Sequence, residues 1–101
     1  MHFVVHAPDK PDALSRREAA LTAHRAYLDV APGRHGITVL LSGPMTSDDG
    51  GRMVGSFFLL DAPDRTSVEA MFAEDPLAAA DVWATCTITA VHLRQNRMGA
   101  S

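Results

Sequence analysis

Five histidines, twelve carboxylates, one cysteine and scattered hydroxyls are the side chains of this sequence equipped for chemistry. Spacing singles out His24. It lies three residues after Leu21 and four before Leu28, on a stripe begun by Leu14 that reads as the inner face of an amphipathic helix. An imidazole on an apolar stripe is costly unless it has a partner or a task. The candidate partner is Asp75, distant in sequence, in Glu74-Asp75-Pro76. A carboxylate that accepts a proton from one ring nitrogen fixes the tautomer and raises the basicity of the other. Such a pair can take a proton from a substrate and return it elsewhere. The plainer readings stay open: a core histidine satisfied by a backbone carbonyl or a threonine, and a turn aspartate bonding local backbone ahead of Pro76.

Ser56 follows Gly55 in an otherwise apolar run. A nucleophilic serine needs a base within reach and an oxyanion hole, and no G-x-S-x-G elbow is present. Ser56 reads instead as a hydrogen-bond donor to a ligand or to His24, or as a small residue needed for close packing. Gly43-Pro44 ends a strand, and Pro44 shapes a pocket wall or simply terminates the strand. Cys86 has no cysteine partner and no zinc spacing, and reads as a buried core thiol. Asp48-Asp49-Gly50-Gly51 lacks the alternating ligands and distal Glu of an EF-hand loop, so it reads as a flexible lid. His2 and His6 share one strand face, as a metal pair or as a stripe facing solvent or a second subunit. No metal or other cofactor is expected.

These groups need elements to position them. A first strand spans His2–Ala7 and is ended by Pro8. A helix follows from about 13 to 30, capped by Asp12 or by a Ser15/Glu18 capping box, and stopped by Ala31-Pro32-Gly33. Strands are expected over 36–42 and 52–60, the latter buried on both faces, flanking the 46–51 loop. A second helix over 65–73 opens at Asp64 or Thr66. Pro76 cannot continue it, and a short turn, Leu77–Ala80, follows. The last strand is expected over 82–93. The order β-α-β-β-α-β is the ferredoxin-like split βαβ pattern, an α+β fold with both helices on one face of a four-stranded antiparallel sheet. Apolar residues on the uncovered face imply a second subunit packed sheet on sheet, a homodimer.

Size and composition restrict the rest. The 101 residues make one domain, 1–101. A hydrophobic share of 47% against 21% charged residues is that of a globular chain. A net charge of -3 with no basic run argues against nucleic acid. No stretch of about twenty apolar residues suits a membrane span, and no signal peptide is recognisable, so the expected location is cytoplasmic. The tail, Asn96–Ser101, is small and polar and is expected to fray.

The chain resembles the YciI-like (YCII-related) proteins of the dimeric α/β-barrel superfamily. The resemblance rests on Ala23-His24, Ser42-Gly43-Pro44, Gly55-Ser56, Glu74-Asp75-Pro76, Ala78-Ala79-Ala80 and Val82, in order over most of the sequence. It implies a small homodimer with a His–Asp pair in a cleft between helices and sheet, here His24 and Asp75. Some relatives of this kind act as lyases or dehydrochlorinases on hydroxylated rings.

Two functions of different class follow. One is a cofactor-free enzyme that transfers a proton on an unsaturated or hydroxylated ring compound, with lyase, isomerase or dehydrochlorinase-like outcome. His24 would be base and acid and Asp75 its orienting partner, with Ser56, Gly55 and Pro44 at the substrate. The other is a non-catalytic small-molecule-binding or accessory dimerisation domain.

Overall fold

The computed structural model describes residues 1–98, so the expectation for 99–101 lies outside the described residues. The elements are β1 (His2–Pro8), α1 (Leu14–Arg34), β2 (Thr38–Thr46), β3 (Met53–Asp61), α2 (Arg65–Ala73), α3 (Pro76–Ala79) and β4 (Thr87–Val91). The sheet order is β2-β3-β1-β4, with every neighbouring pair antiparallel. This is the expected α+β ferredoxin-like arrangement.

Strand alternation builds the core. Phe3, Val5 and Ala7 of β1 and Phe58 and Leu60 of β3 point to the helix side, where they pack with Val68, Met71, Phe72 and Leu77. Each such buried large apolar side chain contributes roughly 1.5–3 kcal/mol relative to exposure. Val4 of β1 and Phe57 and Leu59 of β3 have the opposite parity. They stay half-buried on the face without helices, beside His2 and His6. The expected burial of β3 on both faces is therefore complete on one face only.

The helix ends are set locally. Asp64 accepts the Ser67 amide at 2.8 Å and starts α2 where expected. Asp75, extended ahead of Pro76, accepts the Leu77 amide at 2.8 Å and starts α3. Gly36 takes φ +68° after α1, where Ile37 N–H donates to Pro32 and Gly36 N–H to Gly33, a Schellman close that glycine permits.

Several expectations are corrected. Neither Asp12 nor Ser15 caps α1: the N-cap is Ala13, without a side-chain bond, and Asp12 sits at φ 59°. Pro32 does not stop the helix at Val30. It lies in the last turn, which loses one amide bond and closes at Arg34 through the Schellman bonds. Gly43-Pro44 does not break β2. It continues through them to Thr46, pairing Gly43 with Phe57 and Pro44 with Ser56, because β2 is an edge strand where a missing amide donor is tolerated. Residues 47–52 form a tight hairpin tip: Asp49 accepts from Ser47 Oγ and the Gly51 amide, and the Ser47 amide donates to Arg52. β4 begins at Thr87 rather than 82, because Val82 and Trp83 turn into the core after α3. Cys86 precedes that strand and is exposed, not buried.

Candidate functional site

One line of α1 faces the sheet: Arg17, His24 and Ala31, each seven residues on, flanked by Ala20 and Tyr27. The leucine stripe at 14, 21 and 28 runs beside this line and is only half-buried. Two polar side chains thus hang from the inner face of α1, and each meets its own partners.

His24 is 7% exposed and Asp75 fully buried. His24 Nδ1 lies 2.8 and 2.9 Å from the two carboxylate oxygens of Asp75. A carboxylate accepts, so the hydrogen-bond network assigns the ring proton to Nδ1 and leaves Nε2 as the acceptor. The cap bond from Leu77 N–H to Oδ1 anchors the same carboxylate to the start of α3. The extended backbone that Pro76 imposes on Asp75 is thus what aims it back at α1. Phe58 and Trp83 stand edge-on to the imidazole at 6.3 and 6.4 Å between ring centres.

Arg17 is 1% exposed. Its Nε donates to Asp9 Oδ2 at 2.7 Å and its Nη2 to Asp9 Oδ1 at 2.9 Å, a two-pronged pair. Nη2 also donates to Ser56 Oγ at 2.6 Å, and Trp83 Nε1 donates to the same oxygen at 3.1 Å. Ser56 therefore serves as a hub between β3, α1 and the segment after α3. His24 is not among its hydrogen-bond partners in the described residues.

His24 and Ser56 border one cavity of about 140 Å³, lined also by Leu21, Leu28, Phe58 and Pro44 and by Arg25 and Ser42. A wider, open groove of about 680 Å³ runs along Asp9–Ser15 and Arg52–Val54, but neither His24 nor Ser56 lines it. The small cavity is the one that joins an apolar interior to convergent polar groups, which is what a ligand site needs. Of the residues expected at a substrate, Pro44 and Ser56 line it. Gly55 does not: a Cβ there would lie 2.9 Å from the Ala7 carbonyl oxygen, so its lack of a side chain serves strand packing. Among the described residues no group of three His, Cys, Asp or Glu is placed to hold a metal ion.

The field of the buried carboxylate extends past His24. Tyr27 donates its hydroxyl to the Met71 carbonyl, and burial first, then Glu74 and Asp75, hold its ionisation above the ordinary tyrosine value. Cys86 is raised too, first by the protein surrounding its sulfur and then by Asp75, although the residue as a whole remains exposed.

Sequence reading did not find Arg17, Asp9 or Arg25. An arginine on a helix reads as a solvated charge, and only the seven-residue interval from Arg17 to His24 hinted that both face inward.

Among solved structures, the chain is similar to 5-chloro-2-hydroxyhydroquinone dehydrochlorinase (TftG) from Burkholderia phenoliruptrix AC1100, in complex with 2,5-dihydroxybenzoquinone. The identity is 26% and the TM-score 0.78, over 91% of this chain and 94% of that one. It also shares its fold with a protein described as an antibiotic biosynthesis monooxygenase from Bacteroides thetaiotaomicron, at 14% identity and TM-score 0.55, over 94% of this chain and 90% of that one. Both comparisons fit the dimeric α/β-barrel type of fold. No curated protein matches the sequence. The YCII-related domain matches residues 1–92, nearly the whole sequence, and the chain belongs to that family.

Proposed function

We propose that this protein is a small enzyme that moves a proton on a hydroxylated or unsaturated ring compound held in the cavity beside His24. The observation that carries the reading is the buried Asp75 whose two carboxylate oxygens both meet His24 Nδ1, next to a mostly apolar cavity that His24 lines. His24 Nε2 takes a proton from the ring compound. The electron pair left behind either expels a leaving group as its anion from a neighbouring carbon, the imidazolium then passing its proton to water, or shifts the double bond, the imidazolium then returning the proton at the second position. Asp75 holds the ring orientation and stabilises the imidazolium. Ser56 donates a hydrogen bond to the substrate, and Pro44 shapes the wall.

Cavity size supports a single ring. Its 140 Å³ is close to the roughly 150 Å³ of an apolar cavity that accepts benzene. The similarity to a dehydrochlorinase of a hydroxyhydroquinone supports the same class of compound. The chain acts as a homodimer through the sheet face that carries Val4, Phe57 and Leu59, which its own helices leave open. No helix among the described residues is long and apolar enough to cross a membrane. A free, exposed cysteine suits the reducing cytoplasm.

The test is turnover of 5-chloro-2-hydroxyhydroquinone and other chlorinated hydroxyhydroquinones by the wild type, His24→Ala and Asp75→Asn, read as chloride release and quinone absorbance. Turnover abolished in His24→Ala, with assembly unchanged, is the expected result. Full activity in His24→Ala, or ring binding without any turnover in the wild type, would end the enzymatic reading.

A further inference from the structure

Arg17 is buried behind Ser56 and paired with Asp9, which edges the open groove, yet proton transfer by His24 makes no use of either. Their geometry shows what they do to Ser56. Arg17 Nη2 has two hydrogens, and both are committed: one to Asp9 Oδ1 at 2.9 Å, the other to Ser56 Oγ at 2.6 Å. Nε, bonded to Asp9 Oδ2 at 2.7 Å, closes the fork and stops the guanidinium turning. The indole N–H of Trp83, which can only donate, meets the same Ser56 oxygen at 3.1 Å. A hydroxyl has two acceptor lone pairs and one proton. Both lone pairs of Ser56 are engaged, so its proton is its remaining hydrogen-bonding capacity. The cation behind Oγ strengthens that proton as a donor. Ser56 borders the cavity together with His24, so the same cavity offers a donor and an acceptor.

We infer that Arg17, locked by Asp9, is a positioning residue that makes Ser56 a fixed hydrogen-bond donor to the cavity, which thereby selects ring compounds carrying an acceptor oxygen, a phenolate or a ring carbonyl. The inference rests on the proposed ring-compound site and adds to it the chemistry of one substituent. When His24 removes a proton, negative charge gathers on an oxygen conjugated with the ring. A donor already aimed at that oxygen stabilises the charge without reorganisation. Arg25, which also lines the cavity, adds positive potential for the same anion.

Phenol and toluene test this, because they share a ring and differ by an oxygen against a methyl group. Both are titrated by NMR against the wild type, Ser56→Ala and the double variant Arg17→Met/Asp9→Leu. Ser56→Ala leaves two buried donors unpaired and risks the fold. The double variant replaces the ion pair by apolar groups of similar size, an exchange buried pairs often tolerate. The wild type should prefer phenol by about 10- to 100-fold, the range for one strong hydrogen bond. The variants should bind toluene as the wild type does and lose most of that preference. A purely structural role would instead lower both affinities together. A nitrophenol, whose phenolate is coloured, gives a second readout: at fixed pH its phenolate fraction should rise on binding to the wild type and not on binding to the double variant. Equal affinity of the wild type for phenol and toluene, or a preference that survives in the double variant, overturns the inference and leaves the ring site standing. Failure of the wild type to bind either compound overturns both.

Discussion

Replacing Asp75 by asparagine changes one oxygen to an NH₂ group and tests the pair from both sides of the hydrogen bond. Oδ1 accepts the Leu77 amide at 2.8 Å, so the asparagine oxygen is held at that position and the cap of α3 survives. The NH₂ then occupies the Oδ2 position, 2.9 Å from His24 Nδ1. The oxygen, 2.8 Å from Nδ1, already accepts the Leu77 amide, whereas the buried NH₂ gains an acceptor only if Nδ1 is bare, so the ring carries its proton on Nε2 instead. A charge-assisted bond of about 1.5–3 kcal/mol becomes a neutral one of about 0.5–1.5, a net loss of about 1 kcal/mol. For a domain near this size that lowers Tm by about 4–8 °C. Asp75→Ala additionally removes the cap, worth about 1 kcal/mol, and strands the imidazole N–H, for a total near 3 kcal/mol. Activity should respond far more than stability in Asp75→Asn. With the proton on Nε2 the base is lost, and kcat should fall about 10²- to 10⁴-fold, the usual worth of a positioned base. Nitrogen-15 NMR of the ring distinguishes the two tautomers, and thermal melts and turnover complete the set. The reasoning is refuted if His24 keeps its proton on Nδ1 in Asp75→Asn, or if turnover is unchanged while the tautomer flips.

Three further outcomes are expected. Tyr27→Phe should cost about 0.5–1.5 kcal/mol at neutral pH through the lost bond to Met71, yet reduce the loss of stability in alkali. A folded-state pKa raised above 10.0 stabilises the fold fully below that value, and the contribution is lost as pH climbs through the higher folded value; melts from pH 7 to 11 that run parallel for both proteins would contradict it. Gly55→Ala should destabilise by about 1–3 kcal/mol, since its Cβ would stand 2.9 Å from the Ala7 carbonyl oxygen and 3.1 Å from Pro8 Cα, which are backbone and cannot swing aside; an unchanged denaturation midpoint would refute that packing argument. Leu59→Lys, on the sheet face without helices, should give a folded monomer by analytical ultracentrifugation where the wild type should sediment as a dimer; a wild-type monomer at micromolar concentration would remove the dimer proposal.

The fold was legible wherever local signals agreed. The range of α2 is marked by Asp64 at one end and by Pro76 shortly beyond the other, and the structure has those bounds. Signals failed where tertiary position overruled them. Pro44 is a strand breaker in the middle of a sheet but not on its edge, a distinction that depends on sheet order rather than on neighbouring residues. Pro32 likewise reads as a stop, yet costs little in a last turn closed by Gly36 and Ile37. The 82–93 run alternates like a strand throughout, while Val82 and Trp83 are taken by the core.

The site divides along the same line. His24 stands out on paper because a polar ring on an apolar helix face breaks a local rule; Asp75 breaks none, since an aspartate before proline is common, and its pairing with His24 leans on the resemblance to YCII-related proteins. Arg17 breaks no rule, since arginines belong on helix surfaces. Its inward direction follows from the helix phase set by His24, seven residues and nearly two turns later. Once His24 is fixed to the sheet, Arg17 must also point inward, and a buried guanidinium requires a carboxylate nearby. Asp9, just past β1, supplies it at 2.7 Å. The dyad thus constrains the second network through the rigidity of α1. A change that rotated the helix to free Arg17 would also pull His24 from Asp75, so the proposed donor at Ser56 and the proposed base at His24 are held in register by one element.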